Sequence, residues 1–156
     1  MSRKVRVATV SFLYNGGPTV EDNQERMRGL LDQAVAEKPD IVALPETWNT
    51  QGVAYDALAE IAEPLEGPTV EMTAEYARKN DCYIICPFVG AHGDTYKNDA
   101  VLIDRQGEVV GVYSKIHPVV HGAAFDNLEE GVTPGSDAPV FETDFGRIGI
   151  QICFDL

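Results

Sequence analysis

Apolar positions along the chain change period several times, and each change marks an element. Val5 to Phe12 alternates and is rich in β-branched residues, which predicts a strand. Asn15-Gly16-Gly17-Pro18 breaks it. Thr19 with Asp22 three positions on has the form of a capping box with Asp in the acidic place. Val20, Met27, Leu30, Leu31, Ala34 and Val35 then recur at helical spacing, so a helix is predicted from Val20 to Glu37. Lys38-Pro39-Asp40 ends it, and Ile41 to Leu44 reads as a short buried strand. Gly67-Pro68-Thr69 opens a second helix that runs to about Asn80, and Cys82 to Val89 is the next strand. Two hairpins follow. One pairs Asp99–Asp104 with Glu108–Tyr113 across Arg105-Gln106-Gly107, and the other pairs Val140–Thr143 with Arg147–Cys153 across Asp144-Phe145-Gly146. Between them Lys115 to Pro139 reads as a long loop, a length that in a compact domain often has a functional reason.

Continuous apolar strands flanked by helices predict an α/β layer structure with helices covering one face of a sheet. At 156 residues the chain suits one domain with a real core, and no repeat or linker divides it. Net charge is −13, with Lys and Arg scattered, which excludes nucleic acid and an anionic membrane surface as expected partners. No run of about 18 apolar residues exists to span a bilayer. Met1-Ser2-Arg3-Lys4 leads straight into a strand without the apolar region of a signal peptide. Three cysteines do not form a disulfide framework, so a reducing cytoplasm is the expected compartment.

The chemistry-bearing residues stand where apolar strands end. Cys153 closes Gly149-Ile150-Gln151-Ile152, Glu46 follows Ile41-Val42-Ala43-Leu44-Pro45, and Lys115 follows Val109 to Ser114. A thiol, a carboxylate and an ammonium so placed can perform acyl transfer. Each also has a plainer reading: a core cysteine, a strand-end carboxylate capping the next turn, a solvated lysine. His117 and His121, in the long loop, are alternative bases for Cys153. Cys82 and Cys86 are four apart and share one strand face. With only His92 nearby they lack the ligands for zinc, and they lack the two-residue spacing of a redox dithiol.

Three blocks together resemble the nitrilase superfamily, the carbon–nitrogen hydrolases: Leu44-Pro45-Glu46-Thr47-Trp48, Tyr113-Ser114-Lys115-Ile116-His117-Pro118 and Gly149-Ile150-Gln151-Ile152-Cys153-Phe154-Asp155-Leu156. Tyr96-Lys97-Asn98-Asp99-Ala100 and Thr133-Pro134-Gly135 are similar to connecting stretches of the same family. The resemblance covers essentially the whole chain and implies a four-layer αββα sandwich, incomplete here. It implies hydrolysis of an amide, N-carbamoyl amine or nitrile, with Cys153 as nucleophile, Glu46 as general base, Lys115 and the Phe154 backbone N–H at the oxyanion, and neither metal nor organic cofactor. An auxiliary acid falls at Glu129, with Glu130 as the second choice. A small molecule and water are the expected reactants, and a homo-oligomer the expected assembly. Because family members continue well beyond the third block, the chain is expected to be an N-terminal portion, weakly stable, self-associating or inactive alone. The rival expectation is a non-catalytic domain that binds or associates.

Overall fold

The computed structural model describes residues 4–11, 17–119 and 129–156. Among the described residues, seven strands and two α-helices occur in the order β1 (Val7–Thr9), α1 (Val20–Ala36), β2 (Ile41–Ala43), α2 (Pro68–Asn80), β3 (Tyr83–His92), β4 (Thr95–Ile103), β5 (Val109–Ser114), β6 (Val140–Thr143), β7 (Gly146–Gly149). One five-stranded sheet has the spatial order β1-β2-β3-β4-β5. Its first three strands are parallel and the last three antiparallel. The hairpin β6–β7 forms a separate two-stranded sheet.

Local chemistry accounts for the helix limits. The Thr19 hydroxyl accepts from the Asp22 N–H at 3.1 Å and donates to the Asp22 carboxylate at 2.9 Å, closing the first turn of α1. Pro68 stands at the start of α2, where its missing N–H costs nothing. Asp81, in the left-handed region at φ 53°, ends that helix.

Two cores lie on opposite faces of the large sheet. Met27 and Leu31 of α1 and Val70, Met72 and Ala77 of α2 pack on Val42, Ile84, Cys86, Phe88, Val101 and Ile103. Phe141, Ile150 and Ile152 pack on Ile41, Tyr83, Ala100, Leu102 and Tyr113. The layers are therefore helices, sheet and a second β layer, three of the four in an αββα sandwich. Gly111 lets the second layer approach: a Cβ there would stand 2.4 Å from the Phe141 ring.

The structure departs from the sequence reading in two strands. β4 starts at Thr95, earlier than predicted, so β3 and β4 make a long hairpin with pairs running from Ile84–Ile103 to His92–Thr95. Gly93, at φ 64°, makes its tight turn possible. β7 ends at Gly149 rather than at Cys153, because the chain turns to bring Ile150 and Ile152 onto the sheet and Cys153 into a short 3₁₀ turn. Phe12, the turn at Asn15 and Gly16, and His121 lie outside the described residues.

Pro87 sits in a central strand, where a missing N–H would break a ladder. Odd-numbered residues of β3 bond toward the β2 side: Tyr83 to Asp40, Ile85 to Leu44, Val89 and Ala91 to Glu63. Pro87 falls between the last two partners. The neighbouring chain has left the sheet at Pro45 and Glu46, and Glu63 has not yet joined it.

Candidate active site

That departure aims Glu46 at the end of the sheet. Leu44 makes the last ladder bond of this segment, Pro45 ends the pairing, and Thr47 takes a left-handed backbone (φ 42°) that starts a 3₁₀ turn over Trp48–Thr50. Lys115 follows β5 and is held there by backbone bonds on both sides. Its N–H donates to the Asn98 carbonyl at 2.8 Å, and its carbonyl accepts from Gly135 N–H at 2.8 Å. Only 1% of the lysine side chain is exposed.

A buried ammonium needs partners, and it has two. Lys115 Nζ lies 2.8 Å from Glu46 Oε1 and 2.7 Å from Glu129 Oε2. Asn98 closes a ring. Its side-chain N–H₂ donates to Glu46 Oε1 at 2.8 Å and to Glu129 Oε1 at 2.7 Å. Glu129 Oε2 also accepts from the Val119 N–H at 2.7 Å. Burial alone would lower the Lys115 pKa. Hydrogen bonds and charge from Glu129 and Glu46 outweigh it, so the pKa is raised and the ammonium stays charged.

Cys153 lines the same cavity as this ring and lies in the left-handed region at φ 49°. A non-glycine residue there is strained and needs local support. Burial raises its thiol pKa first, then the charge of Glu46 and a hydrogen bond to that carboxylate. Lys115 and the Phe154 N–H act in the opposite direction. The thiol is thus neutral near pH 7 and shares its cavity with a carboxylate that can accept its proton.

A cavity of about 520 Å³ opens over the group. Cys153, Phe154 and the polar ring form one side, and Leu58, Ile61, Val89 and Val132 an apolar wall. Its size suits a small organic molecule.

The structure brings Glu46, Lys115, Cys153 and Glu129 together, with Phe154 beside the thiol. Glu130 is exposed and outside this cavity; it lines a neighbouring depression with Tyr96 and Thr133. His117 is not paired with Cys153: its Nδ1 lies 3.1 Å from Asp155 Oδ1. Cys82 and Cys86 are buried on the helix side of the sheet, where desolvation pushes their thiols up to about 11 and about 12. Among the described residues no group of His, Cys, Asp and Glu could hold a metal ion, and no helix is long and apolar enough to cross a membrane.

Two members of the site have no role in the sequence reading. Asn98 was visible only as part of a connecting stretch. Asp155 stood within the third block, and its partners, Tyr113 and the turn after Lys115, are distant in sequence.

Fold and site together define an α/β protein with a thiol, a carboxylate and an ammonium converging on one cavity. Residues 6–156 match the carbon-nitrogen hydrolase family, and the chain belongs to it. It is 29% identical to the beta-ureidopropionase of Arabidopsis thaliana over 97% of its own length and 41% of the relative's. With the omega-amidase NIT3 of Saccharomyces cerevisiae it shares 25% identity over its full length and 57% of that protein. Among solved structures, a carbon-nitrogen hydrolase from Helicobacter pylori G27 superposes with a TM-score of 0.78 at 22% identity, over 97% of this chain and 52% of that one. XC1258 of Xanthomonas campestris, a CN-hydrolase superfamily protein, gives 0.80 at 24%, over 97% and 54%. The chain therefore spans about half the length of the relatives it matches, and its fold is that of the nitrilase superfamily.

Proposed function

We propose that residues 1–156 are a carbon–nitrogen hydrolase domain acting on a small amide, N-carbamoyl amine or nitrile through a cysteine thioester. The observation that supports this most is the convergence on one cavity: Glu46 holds the Lys115 ammonium at 2.8 Å, lines the same cavity as Cys153 and, after burial, raises the pKa of that thiol.

Glu46 takes the thiol proton as sulfur attacks the substrate carbon. For an amide, the carbonyl π electrons move onto oxygen, and that oxyanion meets Lys115 Nζ and the Phe154 N–H. The tetrahedral species collapses, the C–N bond breaks, and Glu46 returns its proton to the departing ammonia or amine. Water then attacks the thioester, losing a proton to Glu46. The C–S bond breaks, the acid leaves and the thiol is restored. Glu129 and Asn98 hold Glu46 and Lys115 in register without touching substrate. None of these steps calls for a metal or organic cofactor.

The relatives' names make ω-amides and ureido acids the first compounds to assay. A cytoplasmic location and a homo-oligomer belong to the same proposal, with cell fractionation and light scattering as their checks.

Ammonia release from a panel of amides, carbamoyl amines and nitriles tests the chemistry. Cys153→Ala is expected to abolish turnover with the circular dichroism spectrum unchanged. Glu46→Gln should cost about 10²–10⁴-fold and Lys115→Ala about 10²–10³-fold. Full turnover by the alanine variant at position 153 would remove the cysteine from the mechanism. A folded wild-type chain inert toward every compound would favour the rival non-catalytic domain.

A further inference from the structure

Asp155 is a buried carboxylate that the proposed chemistry does not use, and it is more heavily bonded than the ones that it does use. Its side chain is 3% exposed. Oδ1 accepts from the backbone N–H groups of Ile116 at 3.2 Å and His117 at 2.9 Å, and stands 3.1 Å from His117 Nδ1. Oδ2 accepts from the Tyr113 hydroxyl and from the Ile152 N–H at 3.0 Å.

These donors bracket the two reactive groups. Tyr113 is two residues before Lys115, and Ile116 is the residue after it. Ile152 is the residue before Cys153, and Asp155 itself is two residues after. One buried carboxylate thus ties the chain on both sides of the ammonium to the chain on both sides of the thiol. It also bonds across the turn that holds Cys153 at φ 49°. A left-handed non-glycine residue persists only where its surroundings over-determine it, and the Asp155 bonds supply that restraint.

We propose that Asp155 is the positioning residue of this site: its carboxylate fixes the strained Cys153 turn and locks it in register with the Lys115 strand end. The proposal rests on reading Cys153 as the nucleophile. Burial alone would raise the Asp155 pKa. Hydrogen bonds from Tyr113, Ile152 and His117 outweigh it and bring it to about 2, so the clamp is an anion at every working pH.

Asp155→Asn tests the clamp with little change of shape. An amide offers one acceptor oxygen where the carboxylate offers two. If that oxygen keeps the Ile116 and His117 N–H groups, the amide N–H₂ faces the Ile152 N–H and the turn is released. The readout is iodoacetamide alkylation of Cys153 on the folded wild-type and variant chains, followed by intact mass from pH 6 to 10. Turnover per active site is measured alongside.

The expected result is a split. The thiol, freed from Glu46, alkylates with a midpoint lowered by roughly 0.5 unit or more, while turnover falls about 10²-fold as expected of a misplaced nucleophile. Tyr113→Phe removes one neutral donor and leaves the charge and the backbone bonds, so it should move both readouts the same way by a smaller factor. A wholly structural role for Asp155 would lower the melting temperature yet leave the alkylation profile of the folded molecules at wild type, and that outcome overturns the proposal. Should Asp155→Asn fail to fold, Tyr113→Phe decides: a wild-type profile in it overturns the clamp. Turnover by Cys153→Ala would instead sink the nucleophile reading, and the alkylation profile would still report on the clamp.

Discussion

Asn98 shows how much one side chain can decide. It is 1% exposed and donates to both Glu46 and Glu129, so each carboxylate of the ring has one bond from a neutral amide and one from the Lys115 ammonium. Asn98→Leu keeps much of the volume and leaves each carboxylate a donor short. Stability should fall by on the order of 2 kcal/mol in urea unfolding, at the modest end of the range for bonds to charged groups because Glu46 is one-third exposed. Turnover should fall as well, since Glu46 then loses its aim at the thiol. Cys153 is expected to alkylate before Cys82 and Cys86, which are buried and titrate near 11 and 12; faster labelling of either would contradict the placement of the three thiols. Glu46, Lys115 and Cys153 stood out in the sequence because each closes an apolar run within a recognisable block. Between Glu129 and Glu130 the sequence offered no physical ground for choosing, since which neighbour turns inward depends on the loop's path. Asn98 was not legible as a ring member, because its partners lie 52 and 31 residues away.

Helices were read well where a local signal marked their ends. Thr19, Pro68 and the Met27–Leu31 spacing mark the helices, and the observed limits of α1 and α2 agree with them. The β3–β4 hairpin was missed because Tyr96, Lys97 and Asn98, ahead of the predicted strand at Asp99, look like a polar connection. In the fold Asn98 enters the ring, and Asp99 bonds His92 and Ser114 at 2.6 Å each, so buried polar residues occupy strand positions. The strand proposed through Cys153 stopped early for the converse reason: an apolar run can be buried without pairing. Two glycines separate the roles of neighbouring elements. Gly111→Ala drives a Cβ against the Phe141 ring at 2.4 Å, so the β6–β7 layer must shift. The expected cost is about 1–3 kcal/mol in thermal or urea melting, as for other overpacked cores. Gly135→Ala puts a Cβ 2.2 Å from the Ser114 carbonyl, beside the bond that ties Gly135 N–H to the Lys115 carbonyl. It should lower stability and, because that strand end carries Lys115, turnover per folded molecule too. Equal turnover loss in the two variants would show that the contact at Ser114 has no special bearing on the site.

Charge acts on the chain as one body. Element order alone gave helices on one face of a sheet, and the second β layer came only with the family resemblance; a net charge of −13 says nothing of fold, and its consequence is for stability against pH. Most of the 25 acidic residues are spread over the surface, so protonating some between pH 7 and 5 relieves repulsion. Asp155 works in the opposite sense. Its folded pKa is about 2, against about 3.9 for an unfolded Asp. The folded state therefore binds its proton less readily than the unfolded state. The stabilisation is complete above about pH 4 and is lost as pH falls through about 2, an effect on the order of 2 kcal/mol for a shift of that size. Urea unfolding at successive pH values should show stability level or rising from pH 7 to 5, then falling between pH 4 and 2. In Asp155→Asn the curve should start lower at neutral pH and lose less across that acid range. An acid limb of equal size in both proteins would show that other carboxylates, and not this one, set the acid sensitivity of the fold.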